Sequence, residues 1–314
     1  MKNPGMAVWM VLAAALAVAP AFSQGLSNHG QAVVTVLPKK AADAPSAFNM
    51  QDLSLKVAGK DAKVTKWELY KSPENTLELV LFFDDSARTS IGTQQSEIKN
   101  FINNLPPGTK AAIAYMEHGN ADFSGPLTAD HAAVLRGLRL PTGFPGSSDS
   151  AYFCLSDLAK HWPSKDTQAR REVVMITGGS SYYQARFDPS APDVSAAITD
   201  SARVGLVVYS IYWNDQGRFG RRTGGGFSGL NLLNYVTEAT GGKSFSLGTG
   251  NPISLAPYFD EILRRFQNQY ELGFVSAAGA KPEVETLKLN LNVPGAEVDA
   301  PKQVLVVPAS LVGR

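Results

Sequence analysis

The densest group of reactive side chains follows an apolar run. Leu77-Glu78-Leu79-Val80-Leu81-Phe82-Phe83 leads directly into Asp84-Asp85-Ser86-Ala87-Arg88-Thr89-Ser90, which sets two carboxylates and three hydroxyls within seven residues. An all-oxygen donor set suits a hard cation such as Mg²⁺, which takes few protein ligands and keeps several waters. Asp and Ser also cap helices at strand-to-helix junctions, so the same residues fit a turn that only starts the next helix. Adjacency in sequence does not orient Asp84 and Asp85 across a substrate as acid and base.

Other candidates are weaker. His29, His118, His131 and His161 are dispersed, with neither a His-Glu-x-x-His pair nor a Gly-x-Ser-x-Gly turn among them. Gly242-Lys243-Ser244 has the end of a phosphate loop, but Thr237 stands where its first glycine is needed and the segment follows a helix, so it reads as a turn. Gly217 to Gly229, with Arg218, Arg221 and Arg222, is read as a solvated glycine-rich excursion or an anion site. Tyr182 and Tyr183 offer amphipathic contact area to a partner or fold back on their own loop. Cys154 is the single cysteine, which excludes an internal disulfide and a Cys-cluster zinc site; it is expected as a small buried hydrophobe.

The elements that must position these residues follow from hydrophobic pattern. Leu77 to Phe83, Thr109 to Met116, Glu172 to Ile176 and Leu206 to Trp213 are strongly apolar, as expected of strands covered on both faces. Between them lie helical stripes: Ile98, Phe101, Ile102 and Leu105; then Val194, Ala197, Ile198 and Ala202. A helix over Leu230 to Thr240 stops at Gly241-Gly242, and Asn251-Pro252 is expected to start the helix carrying Phe259, Ile262, Leu263 and Phe266. Ala32 to Leu37, Leu53 to Val57 and Ala62 to Leu69 read as short strands with turn chemistry between them, and strands return from Tyr270 to Val307. The expected fold is α/β: a doubly wound, mostly parallel sheet with helices on both faces, flanked by small β-rich units. Ligands of such folds sit beyond the carboxyl ends of the strands, which is where Asp84 falls.

The chain has 314 residues and a net formal charge of +1, with 29 basic against 28 acidic side chains. That balance excludes a generic nucleic-acid binder, which needs a basic field to neutralise phosphates. Lys2, the apolar run Ala7 to Ala19 and Ala21-Phe22-Ser23 read as a secretory signal peptide, cleaved near Ser23/Gln24; the run is too short for a ~30 Å hydrocarbon core. No membrane span is expected in the mature chain, and a periplasmic or secreted location follows. The expected organisation is residues 1–23 signal peptide, 24–76 β-rich unit, 77–268 α/β domain and 269–314 β-strand extension.

Taken in order, the apolar strand, Asp84-x-Ser86, the α/β alternation over about 190 residues and Val173-Val174-Met175-Ile176-Thr177-Gly178-Gly179 resemble a von Willebrand factor type A domain. The flanks resemble exported bacterial proteins related to that family: Asp52 to Val64 with its Gly-Lys-Asp turn before the domain, and Gln267-Asn268-Gln269-Tyr270-Glu271-Leu272-Gly273-Phe274 after its last helix. The resemblance implies a metal-ion-dependent adhesion site with Asp-x-Ser-x-Ser after the first strand, a loop threonine and an Asp in an Ile-Thr-Asp-Gly setting. Asp84 and Ser86 match it. Arg88 stands at the second serine, Gly178 at the later Asp, and Ser148 or Ser150 lies in the loop that should carry the threonine, so two of five ligand positions are retained. A guanidinium cannot deprotonate in a protein and places a fixed positive charge in the site, so the expectation is a degenerate adhesion site with weak Mg²⁺ binding or none, and no other cofactor.

What the resemblance implies is a non-enzymatic binding module. Its strand-end loops, carrying Asp85, Arg88, Ser90, Ser148, Ser150, Thr177, Gly178, Tyr182 and Tyr183, would meet another protein or an extracellular polymer. The alternatives are an extracytoplasmic hydrolase using Asp84 with a histidine brought in by folding, and a structural subunit of an envelope assembly with the β-rich flanks as contact surfaces.

Overall fold

The structure is a computed structural model, and it describes residues 27–39, 50–71, 75–87, 89–142, 147–183, 187–213, 226–247, 251–277, 281–291 and 295–311. The signal peptide, Arg88 and the arginines at 218, 221 and 222 lie outside the described residues.

Strand β4 (Leu77–Asp84) is the centre of a six-stranded mixed sheet, and all eight of its residues are buried. It pairs in parallel with β5 (Lys110–Glu117) on one side and β7 (Arg170–Thr177) on the other. Beyond β5 the antiparallel β6 (Asn120–Phe123) ends the sheet; beyond β7 come β8 (Leu206–Tyr212) and the two-residue β9 (Ser244–Phe245). Because successive strand residues point to opposite faces, β4 feeds two cores. Leu79, Leu81 and Phe83 pack with Phe101 of α1 (Gln95–Asn103) and with Phe259 and Ile262 of the helix Ala256–Phe266. Val80 and Phe82 pack with Leu155 of α3 (Ala151–Lys160), Val194 of α4 (Pro192–Val204) and Leu233 of α5 (Gly226–Ala239). The short α2 (His131–Arg136) lies beside β5, with Val134 in the first of these cores.

The last helix, here α6 (Ala256–Phe266), does not start at Asn251-Pro252 as expected. Its proline is Pro257 in the first turn, and its free backbone donors are taken by Glu97 of α1, whose carboxylate accepts from Leu255 N at 2.5 Å and Ala256 N at 3.0 Å. A carboxylate at a helix N-terminus is favoured by hydrogen bonding and by the helix dipole, so a distant residue does what the local sequence was expected to do.

The first and last of the described strands form one body. Strands β1 (Ser27–Pro38), β2 (Leu53–Val57) and β3 (Lys60–Leu69) join β10 (Gln269–Ala277), β11 (Glu283–Leu291) and β13 (Gln303–Pro308) in the order β10-β3-β2-β11-β13-β1, and β1 pairs back onto β10. All these pairings are antiparallel, and β12 (Ala296–Asp299) adds to β1. The fold is therefore not the doubly wound, mostly parallel sheet flanked by small β-rich units: a closed six-stranded antiparallel barrel stands beside a mixed sheet. Periodicity reports which residues face a core and is silent on which strand is the neighbour, and here Ser27 pairs with Ala277. Val34, Val36, Leu55, Leu272, Phe274 and Val306 fill the barrel. Gly30 is required opposite Phe274, because a Cβ there would lie 2.2 Å from the ring.

The barrel is tied to the sheet through buried charge. Arg265 of α6, with its side chain wholly buried, pairs with Asp299 of β12 at 2.7 Å and Glu261 at 3.2 Å. Arg170, the first residue of β7, donates to Phe266 O at 3.0 Å and to Gln269 Oε1 of β10, and Gln269 Nε2 donates to the Tyr209 hydroxyl at 3.1 Å. Among the described residues no helix is long and apolar enough to cross a membrane.

Candidate functional site

Asp84 ends β4 and Thr177 ends β7, neighbouring parallel strands, so the topology delivers both side chains to one edge of the sheet. Asp84 is 3% exposed. Its Oδ1 accepts from Ser86 N at 3.0 Å and Ser86 Oγ at 2.6 Å, and its Oδ2 accepts from Thr177 Oγ1 at 2.6 Å. Hydrogen bonds to an ionised carboxylate contribute about 1.5–3 kcal/mol each. Two hydroxyls and an amide thus hold the buried carboxylate.

Asp85 is separately engaged. Its carboxylate accepts from Arg139 Nη1 at 2.5 Å, Thr142 N at 3.2 Å and Thr142 Oγ1 at 2.6 Å. Arg139 lies over the Tyr115 ring with 3.7 Å to its centroid, while Tyr115 Oη donates to Arg139 O and accepts from Arg139 N. Burial pushes the Tyr115 phenol above its ordinary pKa, so it stays neutral and can both donate and accept. Arg139 comes from the segment between α2 and α3.

Ser148 and Ser150 do not hydrogen-bond to Asp84. Ser150 caps α3, its Oγ accepting from Tyr152 N and Phe153 N, and donates to Asp193 Oδ2 at 2.7 Å. The Ser148 carbonyl accepts from Gly119 N and from Cys154 Sγ. Cys154 is buried as expected; burial, then the Asp84 charge, pushes its thiol well above the usual range, which keeps it from acting as a nucleophile. Asp193 is fully buried at the start of α4 and also accepts from Tyr182 N at 3.0 Å. The Thr177 hydroxyl accepts from Gly179 N at 3.1 Å, and the Tyr152 hydroxyl donates to Gly179 O at 3.3 Å. One hydrogen-bonded run therefore links Asp84, Thr177, Gly179, Tyr152, Ser150, Asp193 and the backbone of Tyr182. Gly178 lies within it, its carbonyl packed against Gly229 of α5, where a Cβ would come within 2.2 Å.

The outer end of this run is aromatic. Tyr182 and Tyr183 are 64% and 55% exposed and stack edge to face, with ring centroids 5.3 Å apart. Phe153 supports both at 6.1 and 6.2 Å. Beside Tyr182 is a cavity of about 340 Å³ walled also by His118, Asp149, Phe153, Asp157 and Lys160. His118 (φ 47°) and Asp149 (φ 55°) hold left-handed backbone, unusual for non-glycine residues and concentrated at functional sites. Ser90 is exposed in the turn after Asp84, where its carbonyl accepts from Thr93 Oγ1 at 2.9 Å.

The oxygens a hard cation would find at Asp84 are one carboxylate and the hydroxyls of Ser86 and Thr177. Gly178 adds no side chain, and among the described residues no three of His, Cys, Asp or Glu gather at one point. Near-octahedral Mg²⁺ is poorly fitted by this set. Two of the histidines are engaged away from Asp84: His131 Nε2 lies 3.2 Å from Thr109 O, and His161 Nδ1 lies 2.8 Å from Asp157 Oδ1. Asp193, Arg139 and Thr142 were not anticipated. Pro192-Asp193 carries the signature of a cap for its own helix, and nothing local announces that its carboxylate faces Ser150.

Searches of family models and of curated proteins find no match. Among solved structures, the chain is similar to an aerotolerance-related membrane protein from Bacteroides fragilis, at 14% identity and TM-score 0.43, covering 60% of this chain and 98% of that one. It is also similar to the conserved protein BatB from Bacteroides thetaiotaomicron, at 15% identity and TM-score 0.40, over 60% and 96% of the two chains. The VWA domain of SpRpn10 is similar at 10% identity and TM-score 0.34, over 59% and 94%. At these identities and TM-scores the likeness assigns no residue a role.

Proposed function

We propose that this chain is an exported, non-enzymatic binding module that presents the strand-end edge around Asp84, Tyr182 and Tyr183 to another protein or an extracellular polymer, with no divalent cation in the contact. The observation that carries this reading is the pairing of a buried, hydrogen-bonded Asp84 with an exposed aromatic pair on the same hydrogen-bonded run. Asp84 is buried and hydrogen-bonded to Ser86 and Thr177, whereas Tyr182, Tyr183 and the adjoining cavity lie at the surface and supply the area for recognition. Tyrosines held on a rigid base supply contact area at low conformational cost and are enriched at interfaces. Export is supported by Lys2, Ala7 to Ala19 and Ala21-Phe22-Ser23 alone.

The test is affinity capture from the extracytoplasmic fraction of the source cells, comparing the natural protein with the Tyr182→Ser/Tyr183→Ser double variant, each in Mg²⁺ and in EDTA. Capture should survive EDTA and be lost in the double variant. Capture that needs Mg²⁺, or that the double variant retains, would overturn the reading. Turnover of any substrate abolished by Asp84→Asn would replace it with the hydrolase alternative.

A further inference from the structure

At the opposite end of the parallel strands from Asp84, where β7 begins at Arg170 and β8 follows Gly205, a cleft of about 410 Å³ separates the mixed sheet from the barrel. Its volume lies in the range of small-molecule sites, which concentrate where two structural units meet. Its barrel wall carries an apolar stretch, Val33 of β1 with Leu305 and Val307 of β13, beside the polar His29 and Gln31 of β1. Its sheet wall carries three guanidiniums, Arg170, Arg171 and Arg203, and no Asp or Glu lines the cleft among the described residues.

These cations differ in how they are held. Arg203 is exposed and paired with Asp200 at 2.8 Å. Arg171 donates through Nη2 to the carbonyls of Ser164 and Asp166, and its Nε has no partner. Arg170 is 3% exposed, and its hydrogen bonds run to neutral acceptors, Phe266 O and Gln269 Oε1. Its guanidinium stands 4.8 Å from the centroid of Tyr70, and its Nε is likewise without a partner. The adjacent Glu172 is a weak counter-charge, because burial pushes its carboxyl up to about 7. Three guanidiniums on one lining with no acidic side chain in it favour an anion, and carboxylates meet guanidinium forks in matching geometry.

We propose that this cleft binds a small carboxylate carrying a short apolar chain, the carboxylate facing Arg170 and Arg171 and the chain lying along Val33, Leu305 and Val307. Cationic wall, apolar stretch and absence of acidic lining select together for that chemistry: a bare anion leaves the apolar stretch wet, and an apolar molecule leaves the arginines uncompensated.

The experiment is isothermal titration of the full chain with sodium octanoate, against sodium acetate, 1-octanol and octyltrimethylammonium. Octanoate should bind one saturable site at least tenfold tighter than acetate or octanol, and the cation should not bind. Leu305→Trp, which fills the cleft from a half-buried barrel position, and Arg171→Gln should each weaken octanoate tenfold or more while a cooperative melt persists. Should either variant fail to fold, Arg203→Gln, at an exposed position, should weaken octanoate about threefold. The Tyr182→Ser/Tyr183→Ser variant should bind octanoate as the natural protein does, which separates this site from the strand-end edge. No saturable heat, equal affinity for octanoate and octanol, or unchanged binding in Leu305→Trp would overturn the proposal.

Discussion

Glu172 gives the buried charge between barrel and sheet a measurable pH signature. It is fully buried in β7, neither carboxylate oxygen closes a hydrogen bond of normal geometry, and burial raises its pKa from 4.5 to about 7, with Arg170, Gln269 and Arg265 offsetting only part of the cost. An acid whose pKa is raised on folding keeps its proton in the native state over a range where the unfolded chain has released it. Stability therefore falls as pH rises from about 4.5 to about 7 and is flat above, by about 3 kcal/mol at 1.36 kcal/mol per unit. Asp200 and Glu261 are shifted the other way, held below the usual carboxylate range against the cost of their burial by Ser156 and Lys160 and by Arg264. Their contributions are present above the ordinary carboxylate pKa and are lost only as pH falls below it, so a window from pH 5 to 8 isolates Glu172. Urea unfolding of the full chain across that window should show a loss of stability that levels off above about pH 7. Glu172→Gln, which keeps the shape and removes the charge, should flatten it and stabilise the protein by about 2–3 kcal/mol at pH 8 while changing little at pH 5. Parallel pH profiles for the two proteins, or a variant less stable at pH 8, would refute the assignment of an uncompensated carboxylate at this position.

Phe82→Ala, in the strand buried on both faces, should cost about 3–5 kcal/mol in denaturant unfolding; a loss near zero would mean the core on that side of β4 is misassigned. Thr177→Val removes a donor from the buried Asp84 and an acceptor from Gly179 N, and should cost about 2–3 kcal/mol by the same assay, whereas Thr177→Ser should cost much less. Calorimetry with millimolar Mg²⁺ or Mn²⁺ should give no saturable heat and no change in Tm, and Arg88→Ser with Gly178→Asp should together create binding; stoichiometric binding by the natural protein would restore an ion-dependent mechanism.

The parts of this fold legible in the sequence are those set by local pattern. The β4 strand, the stripes of α1 and α4, the glycine stop after α5 and the burial of Cys154 all follow from spacing and residue type, because a strand covered on both faces or a one-sided helix leaves a periodic trace. The barrel was not legible. Its strands were visible one by one, but β1 closes on β10 across the whole length of the mixed-sheet unit, and no local feature of Val34 or Phe274 names the partner. The site divides the same way. Asp84 and Ser86 stand out because they follow the central strand, and their contact is local. Asp85 with Arg139, Asp193 with Ser150 and Glu97 with the start of α6 join residues 54, 43 and 158 positions apart, so each carboxylate reads in sequence as a cap or a solvated charge.

The central claim is that the strand-end edge meets a partner through its aromatic pair without a divalent ion, and site-specific photocrosslinking tests it most directly. A benzophenone amino acid would replace Tyr182, or, as a control, the exposed Lys63 on the barrel strand β3, in the full chain expressed in its own cells, with irradiation in Mg²⁺ and in EDTA. The account predicts a discrete covalent adduct from position 182 in both conditions and none from position 63. An adduct at 182 that disappears in EDTA, or equal labelling at the two positions, would contradict it.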